Sequence, residues 1–202
     1  MSAALAPQSA RPPERVEEGL LVLRRMQPED ARTVALVVGE SLEHLHPWMP
    51  WATKEAAEQR TQQARITEAD EMWDSGTDYI YAIFVRDGGS GDGALVGTIG
   101  LHRRASENVI EIGYWIAASQ TRRGYGTAAA RAVTSVAVSL LGVRQVQIHC
   151  DEANVASAAI PRKLGYRLDR IEPHEPEAPG ERGRRMIWVW DSPGPGARDG
   201  AR

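Results

Sequence analysis

The sequence of 202 residues contains a single cysteine, Cys150. One thiol cannot form an internal disulfide, and it cannot build a thiolate zinc site by itself. Cys150 alternates with Val146 and Ile148, which places it on the apolar side of a predicted strand, where we expect it to pack rather than react. His44 and His46 are accompanied by no third ligand at a matching spacing. The sequence therefore predicts no metal site.

The chain also lacks an excess of basic residues and any long apolar run. Its formal net charge is −3, whereas a general nucleic-acid binder needs clustered Lys and Arg to contact phosphates. No segment approaches the roughly 20 apolar residues that span a bilayer, and the N-terminus lacks the apolar stretch of a signal peptide. We therefore expect a cytoplasmic protein with neither nucleic acid nor membrane as a partner.

The remaining composition fits one globular domain. Apolar residues make up 42% of the chain and charged residues 25%, which is ordinary for a soluble protein. The segments 1–18 and 192–202 are rich in small residues, proline and charge, so we expect both to be flexible tails. The domain itself is predicted to span 19–191.

The pattern of apolar residues predicts an α/β fold. Strands and a crossover helix together favour a mixed, mostly antiparallel sheet of about seven strands flanked by about four helices. Thr53 and Asn154 are predicted helix N-caps, and a glycine-rich turn is predicted at 87–93. The predicted strands are 20–25, 79–86, 94–103, 109–117, 143–151, 166–171 and 184–190, and the predicted helices are 28–44, 53–73, 126–141 and 154–164.

The most informative segment is QTRRGYGTAAA, between a predicted strand and a predicted helix. Gly124 and Gly126 can adopt positive φ and allow close approach of a ligand. The amides from Arg123 to Thr127 would then point outward at a helix N-terminus, where they and the helix dipole favour a pyrophosphate. Arg122 adds positive charge. A plain glycine turn is the alternative, and a dinucleotide-binding turn is disfavoured because no third glycine follows.

This turn resembles the acyl-CoA signature Gln/Arg-x-x-Gly-x-Gly/Ala of the GNAT superfamily of N-acetyltransferases. The first position differs, because Thr121 stands where Gln or Arg is usual. Four further stretches are similar to the RimJ/RimL branch of that superfamily, in the same order along the chain. They are HPWMPW at 46–51, EIGYWI at 111–116, NVAS at 154–157 and KLGY at 163–166.

The resemblance implies a GNAT fold and an acyltransferase that uses acetyl-CoA as co-substrate. The acetyl group would pass to a primary amine by direct attack in a ternary complex, and the acceptor would be a protein N-terminus. A small amine, such as an antibiotic or a polyamine, is an alternative acceptor, and a non-catalytic acyl-CoA sensor is an alternative function. A homodimer is compatible with the sequence. Trp48 and Trp51 are expected to combine core packing with a rim around the acceptor groove.

The resemblance also implies which residues hold the cofactor. The fourth predicted strand would offer backbone groups to the pantetheine arm, and the glycine turn would hold the diphosphate. Asn154 would hydrogen-bond the arm, although it can equally cap the following helix. The implied set is Ile112, Gly113, Tyr114, Trp115, Ile116, Arg122, Arg123, Gly124, Tyr125, Gly126, Thr127, Asn154 and Lys163.

The catalytic residues are predicted by resemblance and by position. The resemblance implies that Ser157 protonates the departing sulfur, with Tyr166 as the alternative donor. Glu111 is the first candidate for the base, because strand alternation places it on the same face as Gly113. The other candidate bases are Glu175, Glu177 and His102.

Overall fold

An eight-stranded sheet lies at the centre of this computed structural model, which describes residues 10–86, 88, 91–106 and 108–192. The strand order is β1-β2-β3-β4-β5-β6-β8-β7. The β5–β6 pair is parallel and the other described pairs are antiparallel. The strands are β1 (Arg15–Glu18), β2 (Leu21–Arg25), β3 (Asp78–Val85), β4 (Ala94–Ser106), β5 (Val109–Ile116), β6 (Gln145–Asp151), β7 (Arg167–Pro173) and β8 (Arg184–Asp191).

Five α-helices cover the two faces of this sheet in the described part of the chain. The fourth forms the crossover that the parallel β5–β6 pair requires. None of the described helices is long and apolar enough to cross a membrane. The helices are α1 (Ala31–Gly39), α2 (Leu42–Leu45), α3 (Gln59–Ser75), α4 (Tyr125–Ser139) and α5 (Val155–Leu164), with 3-10 turns at Pro28–Asp30, Glu55–Ala57 and Ala118–Gln120.

The alternation of side chains along the strands buries both faces of the sheet. Leu21 and Leu23 of β2 pack in the cluster that contains α4, whereas Val22 between them packs in the cluster that contains α1. All three are at most 2% exposed. Because successive residues of a strand point to opposite faces, a continuous apolar run can fill two cores at once. Catalytic groups on opposite faces of one strand therefore face different helices.

Three predicted boundaries are corrected by the structure. The segment 1–18 was expected to be a tail, but Arg15–Glu18 form β1 and pair with β2. The helix expected at 28–44 is divided into a 3-10 turn, α1 and α2, and between the two α-helices the buried Ser41 hydroxyl accepts a hydrogen bond from the Ala118 amide. Thr53 caps no helix, since α3 begins after the extended residue Glu58. Residues 1–9 and 193–202, and part of the turn at 87–93, lie outside the described residues.

The strands β5 and β6 diverge, and this divergence positions the site. Their last paired residues are Ile112 and Ile148. Beyond that point β5 continues to Ile116 against β4, while β6 continues to Asp151 against β8. A gap therefore opens in the middle of the sheet, and it connects the two faces.

Candidate active site

The turn before α4 leaves a helix N-terminus without a side-chain cap. Gly124 occupies the N-cap with φ 83°, and Arg122 also has a positive φ of 61°. The first hydrogen bond of the helix runs from the Ala128 amide to the Gly124 carbonyl, at 3.0 Å. The amides of residues 124–127 therefore precede the first intrahelical bond, and no acidic side chain lies in this turn. Such a terminus favours an anion through its N–H groups and the helix dipole.

The two glycines of the turn have different roles. Gly124 needs its backbone conformation, and a Cβ atom there would meet nothing within 4 Å. Gly126 is helical, and a Cβ atom there would lie 3.0 Å from Ile160 and 3.4 Å from Ile116. The expectation of positive φ thus holds at Gly124 and is wrong at Gly126. The second glycine lets α4 approach β5 and α5 closely.

A cavity of about 360 Å³, here named the turn cavity, lies against this helix terminus. Its other walls come from α5, including Lys163, from the outer half of β5 and from the segment 44–49. The predicted cofactor residues Ile112 and Gly113 do not line it, and neither does Arg123. The predicted residues that line the turn cavity are Tyr114, Trp115, Ile116, Arg122, Gly124, Tyr125, Gly126, Thr127, Asn154, Ser157 and Lys163.

A larger cavity of about 770 Å³, the sheet cavity, lies on the opposite side of the gap. Its walls come from the sheet, from α1 and α3, from the HPWMPW loop and from the loop between β7 and β8. Acidic side chains are prominent among its lining residues, which favours a cationic ligand. These acidic residues are Glu68, Glu111, Asp151, Glu177 and Glu181. The residues that line both cavities are Trp48, Met49, Tyr114, Trp115, Asn154 and Ser157.

Ser157 lies where the two cavities meet, in the first turn of α5. Its amide donates to Asn154 Oδ1 at 3.0 Å, so the predicted N-cap is confirmed. Its hydroxyl lies 3.1 Å from the Tyr114 hydroxyl. Burial raises the pKa of Tyr114, against a smaller opposing effect of the Ser157 hydrogen bond. Tyr114 is therefore a protonated donor, and both the Ser157 carbonyl, at 3.3 Å, and the Ser157 hydroxyl lie within its reach.

The partnership between Tyr114 and Ser157 was not predicted from the sequence, which assigned Tyr114 to the cofactor set through its strand. Strand alternation could have indicated this contact between Tyr114 and Ser157. Tyr114 is three residues from Glu111 and so points to the opposite face, toward the α4–α5 side.

Tyr166, the alternative acid, belongs to the core. Its hydroxyl lies 2.6 Å from the Thr134 hydroxyl of α4, its ring is 5% exposed, and it lines neither cavity. Burial raises its pKa. This position in the core disfavours Tyr166 as the acid, compared with Ser157. Cys150 lines the sheet cavity, but burial raises the pKa of its thiol to about 11, which disfavours a thiolate nucleophile.

Three candidate bases line the sheet cavity: Glu111, His102 and Glu177. Glu111 Oε2 lies 3.6 Å from His149 Nδ1. The fourth candidate, Glu175, is exposed and lies outside both cavities.

His102 occupies space that two paired glycines provide. A Cβ atom at Gly100 would lie 2.5 Å from His102 Nε2, and one at Gly113 would lie 3.3 Å from it. His102 Nδ1 lies 2.9 Å from Asp78 Oδ2. This carboxylate favours the tautomer with a proton on Nδ1 and a free lone pair on Nε2.

Asp151, at the end of β6, fixes the loop between β7 and β8. Its Oδ2 accepts from the amides of Arg182 at 3.0 Å and Arg184 at 3.1 Å, and it lies 3.2 Å from His174 Nε2. Its Oδ1 accepts from the Ala153 amide at 2.9 Å. Burial raises the pKa of this carboxyl, but the backbone hydrogen bonds outweigh that effect and hold the pKa below its ordinary value. No sequence motif indicates these contacts of Asp151, because three of the four partners are main-chain amides.

Within the described ranges, no three histidine, cysteine or acidic side chains are grouped so that they could hold a metal ion.

Comparison with known proteins identifies the family. Residues 21–167 match the profile of the acetyltransferase (GNAT) domain. The chain belongs to the GNAT acetyltransferase family. This GNAT protein is therefore an acyltransferase, and the expected α/β fold is confirmed, with one more strand and one more helix than predicted.

The relatives of this GNAT acetyltransferase agree with the expected branch. A Bacillus subtilis (strain 168) protein provisionally named ribosomal N-acetyltransferase YdaF is 28% identical over 147 residues, which cover 72% of this chain and 77% of YdaF. A solved RimL, the ribosomal L7/L12 α-N-protein acetyltransferase in complex with coenzyme A, shares 17% identity and a TM-score of 0.78, with 88% and 98% of the two chains covered. Mycobacterium smegmatis RimJ shares 20% identity and a TM-score of 0.79, with 90% of each chain covered.

Proposed function

We propose that this protein transfers the acetyl group of acetyl-CoA to the α-amine of a protein N-terminus. One observation carries the proposal: the gap between β5 and β6 joins two cavities of opposite chemistry. The turn cavity contains an uncapped helix terminus that favours phosphate, and the sheet cavity contains carboxylates that favour an amine. The named functions of YdaF and RimL support a ribosomal protein as the acceptor.

Acetyl-CoA would lie along the turn cavity. The amides of residues 124–127 would hold its diphosphate, together with the exposed side chains of Arg122 and Lys163. The pantetheine arm would follow the edge of β5 at Gly113–Ile116, where no described strand pairs on the β6 side. Asn154 Oδ1 is engaged in the helix cap, which leaves its side-chain NH₂ group for the arm.

The acid and the base would act from opposite sides of the gap. The amine would reach the thioester from the sheet cavity after losing a proton to Glu111, directly or through a water. An amide on the free edge of β5 would stabilise the oxyanion of the tetrahedral intermediate. On collapse, the C–S bond breaks and the Ser157 hydroxyl protonates the sulfur, while Tyr114 returns a proton to Ser157 across their 3.1 Å contact. The second proton that the acceptor nitrogen loses would restore Tyr114, so that one proton in total is left on Glu111. No covalent enzyme intermediate is required.

Two measurements test this function. Calorimetry measures whether coenzyme A binds to the protein, as the proposed role of the turn cavity requires. Thiol release from acetyl-CoA is then compared among peptides with a free N-terminus, the same peptides with a blocked N-terminus and a lysine, polyamines and aminoglycosides. We expect turnover with free N-termini and almost none with blocked ones. Preferred turnover of a small amine would assign the alternative acceptor. Coenzyme A binding without turnover of any amine would indicate a sensor, and absence of binding would refute the proposal.

A further inference from the structure

A row of polar side chains lines one face of β6 and ends in the sheet cavity. Gln145 Nε2 donates to Asp191 Oδ1 at 2.9 Å, and Gln147 Nε2 donates to Gln145 Oε1 at 2.6 Å. His149 Nε2 lies 2.7 Å from Gln147 Oε1. The other ring nitrogen, Nδ1, lies 3.6 Å from Glu111 Oε2. These residues form one continuous hydrogen-bonded row from the exposed end of β8 to the cavity.

The direction of every hydrogen bond in this row is set by its outer end. A carboxylate can only accept, so Gln145 must present its NH₂ group to Asp191 and its oxygen to Gln147. Gln147 must then present its oxygen to His149. The proton of neutral His149 is therefore fixed on Nε2, because only an N–H can satisfy that oxygen.

This tautomer is the one that Glu111 disfavours. With its proton on Nε2, neutral His149 leaves the lone pair of Nδ1 3.6 Å from a carboxylate oxygen, so two acceptors lie close together. Without the Gln147 oxygen as an acceptor at Nε2, neutral His149 would instead carry its proton on Nδ1 and donate it to Glu111. The row of glutamines thus leaves Nδ1 of neutral His149 without a proton, 3.6 Å from a Glu111 oxygen that could share one with it.

The surrounding charges are consistent with a neutral His149 that can accept a proton. Burial lowers the pKa of His149, and Glu111 opposes this effect. Arg185 of β8 and Arg170 of β7 lower the pKa further, while Glu172 of β7 raises it.

We propose that His149 Nδ1 and Glu111 Oε2 together form the site that accepts the proton of the acceptor ammonium, and that Gln145 and Gln147 are positioning residues for it. This inference rests on the proposed acetyl transfer. The ammonium loses one proton to the pair, and its freed lone pair attacks the thioester carbonyl. The pair holds that proton between Nδ1 and Oε2 and releases it to solvent after the product leaves.

The tautomer is measured by two-dimensional ¹H–¹⁵N NMR of the histidine rings in the free protein, with His149→Gln used to assign the signal. We expect the Nε2–H form in the wild type. Gln147→Met removes the acceptor at similar volume, and His149 should switch to the Nδ1–H form that donates to Glu111. The matched control is Gln63→Met on α3, outside both cavities, which should leave the His149 signal unchanged.

Steady-state kinetics are then measured with the amine that the wild-type enzyme acetylates with the highest turnover. Because general-base catalysis contributes about 10²- to 10⁴-fold, we expect kcat to fall by roughly 100-fold in His149→Gln and by roughly 10-fold in Gln147→Met, with the KM for acetyl-CoA unchanged. An Nδ1–H tautomer in the wild type, or a Gln147→Met enzyme with wild-type kcat, overturns the inference and leaves the proposed transfer intact. A wild type without turnover overturns the transfer and, with it, the role of this pair.

Discussion

Replacing Gly124 by alanine tests whether the turn before α4 holds the cofactor. Gly124 has φ 83°, a conformation that favours glycine, and a Cβ atom there would meet no protein atom within 4 Å. The new methyl group would instead project into space next to the turn cavity, which Gly124 lines. The substitution therefore adds backbone strain without a clash inside the protein.

The expected magnitude has two parts. An L-residue in the left-handed region costs about 1–2 kcal/mol, which corresponds to a fall in Tm of roughly 2–8 °C for a chain of this size. If the methyl group also displaces the diphosphate from one amide, the loss of a charge-assisted hydrogen bond adds about 1.5–3 kcal/mol to the free energy of binding. Such a loss would raise the Kd for coenzyme A by roughly 10- to 100-fold.

The control separates strain from ligand contact. Gly142 follows α4 at its other end with φ 81°, and a Cβ atom there also meets nothing within 4 Å. Gly142→Ala should lower Tm by a similar amount, measured by calorimetric melting, and leave the Kd for coenzyme A unchanged. If Gly124→Ala lowered Tm but bound coenzyme A as tightly as the wild type, the diphosphate would not lie on this turn.

Three further outcomes follow from the site. Ser157→Ala and Tyr114→Phe should each lower kcat by roughly 10²-fold, and the double variant should be little worse than either single one, because the two hydroxyls act as a unit; fully multiplicative losses would contradict the relay. Glu111→Gln should lower turnover sharply with unchanged affinity for acetyl-CoA, whereas unchanged turnover at saturating substrate would leave His102 or Glu177 as the base. Asp151→Asn should cost about 2–3 kcal/mol, since hydrogen bonds to a charged acceptor are lost. The native pKa of Asp151 lies below its unfolded pKa, which is near 3.9. The stabilisation is therefore complete at a pH well above the unfolded pKa, and it is lost as the pH falls through the native pKa. The gap in urea stability between wild type and variant should therefore shrink below about pH 4, and a pH-independent gap would contradict the assignment.

The order of the elements could be predicted because it depends on local signals. The cap at Asn154 and the glycine turn before α4 were found from short sequence patterns, and both are present in the structure. The cap expected at Thr53 is absent, because Glu58 adopts the extended conformation that begins α3. A local sequence pattern indicates which residues are able to cap a helix, but the helix start, and so the residue that caps it, depends on how the chain packs.

The candidate site was less predictable because its contacts join distant segments. Tyr166 is the last residue of the KLGY motif, yet its hydroxyl faces Thr134 in the core. The row from Asp191 to His149 joins β8 to β6 through side chains of ordinary polar residues. Strand alternation predicts which residues share a face, but only the register between strands shows which of them meet.

The two cavities share an inner wall but differ in the segments that form their outer walls. The turn cavity draws chiefly on β5, α4 and α5, whereas the outer walls of the sheet cavity come from the segments before β3 and from the loop after β7. Substitutions in those outer walls, at positions other than the shared Trp48 and Met49, can diversify the accepted amine while the donor half of the enzyme stays unaltered. Selection for new acceptors in this lineage should accordingly accumulate at the chain's first third and near its end, and leave the middle comparatively constant.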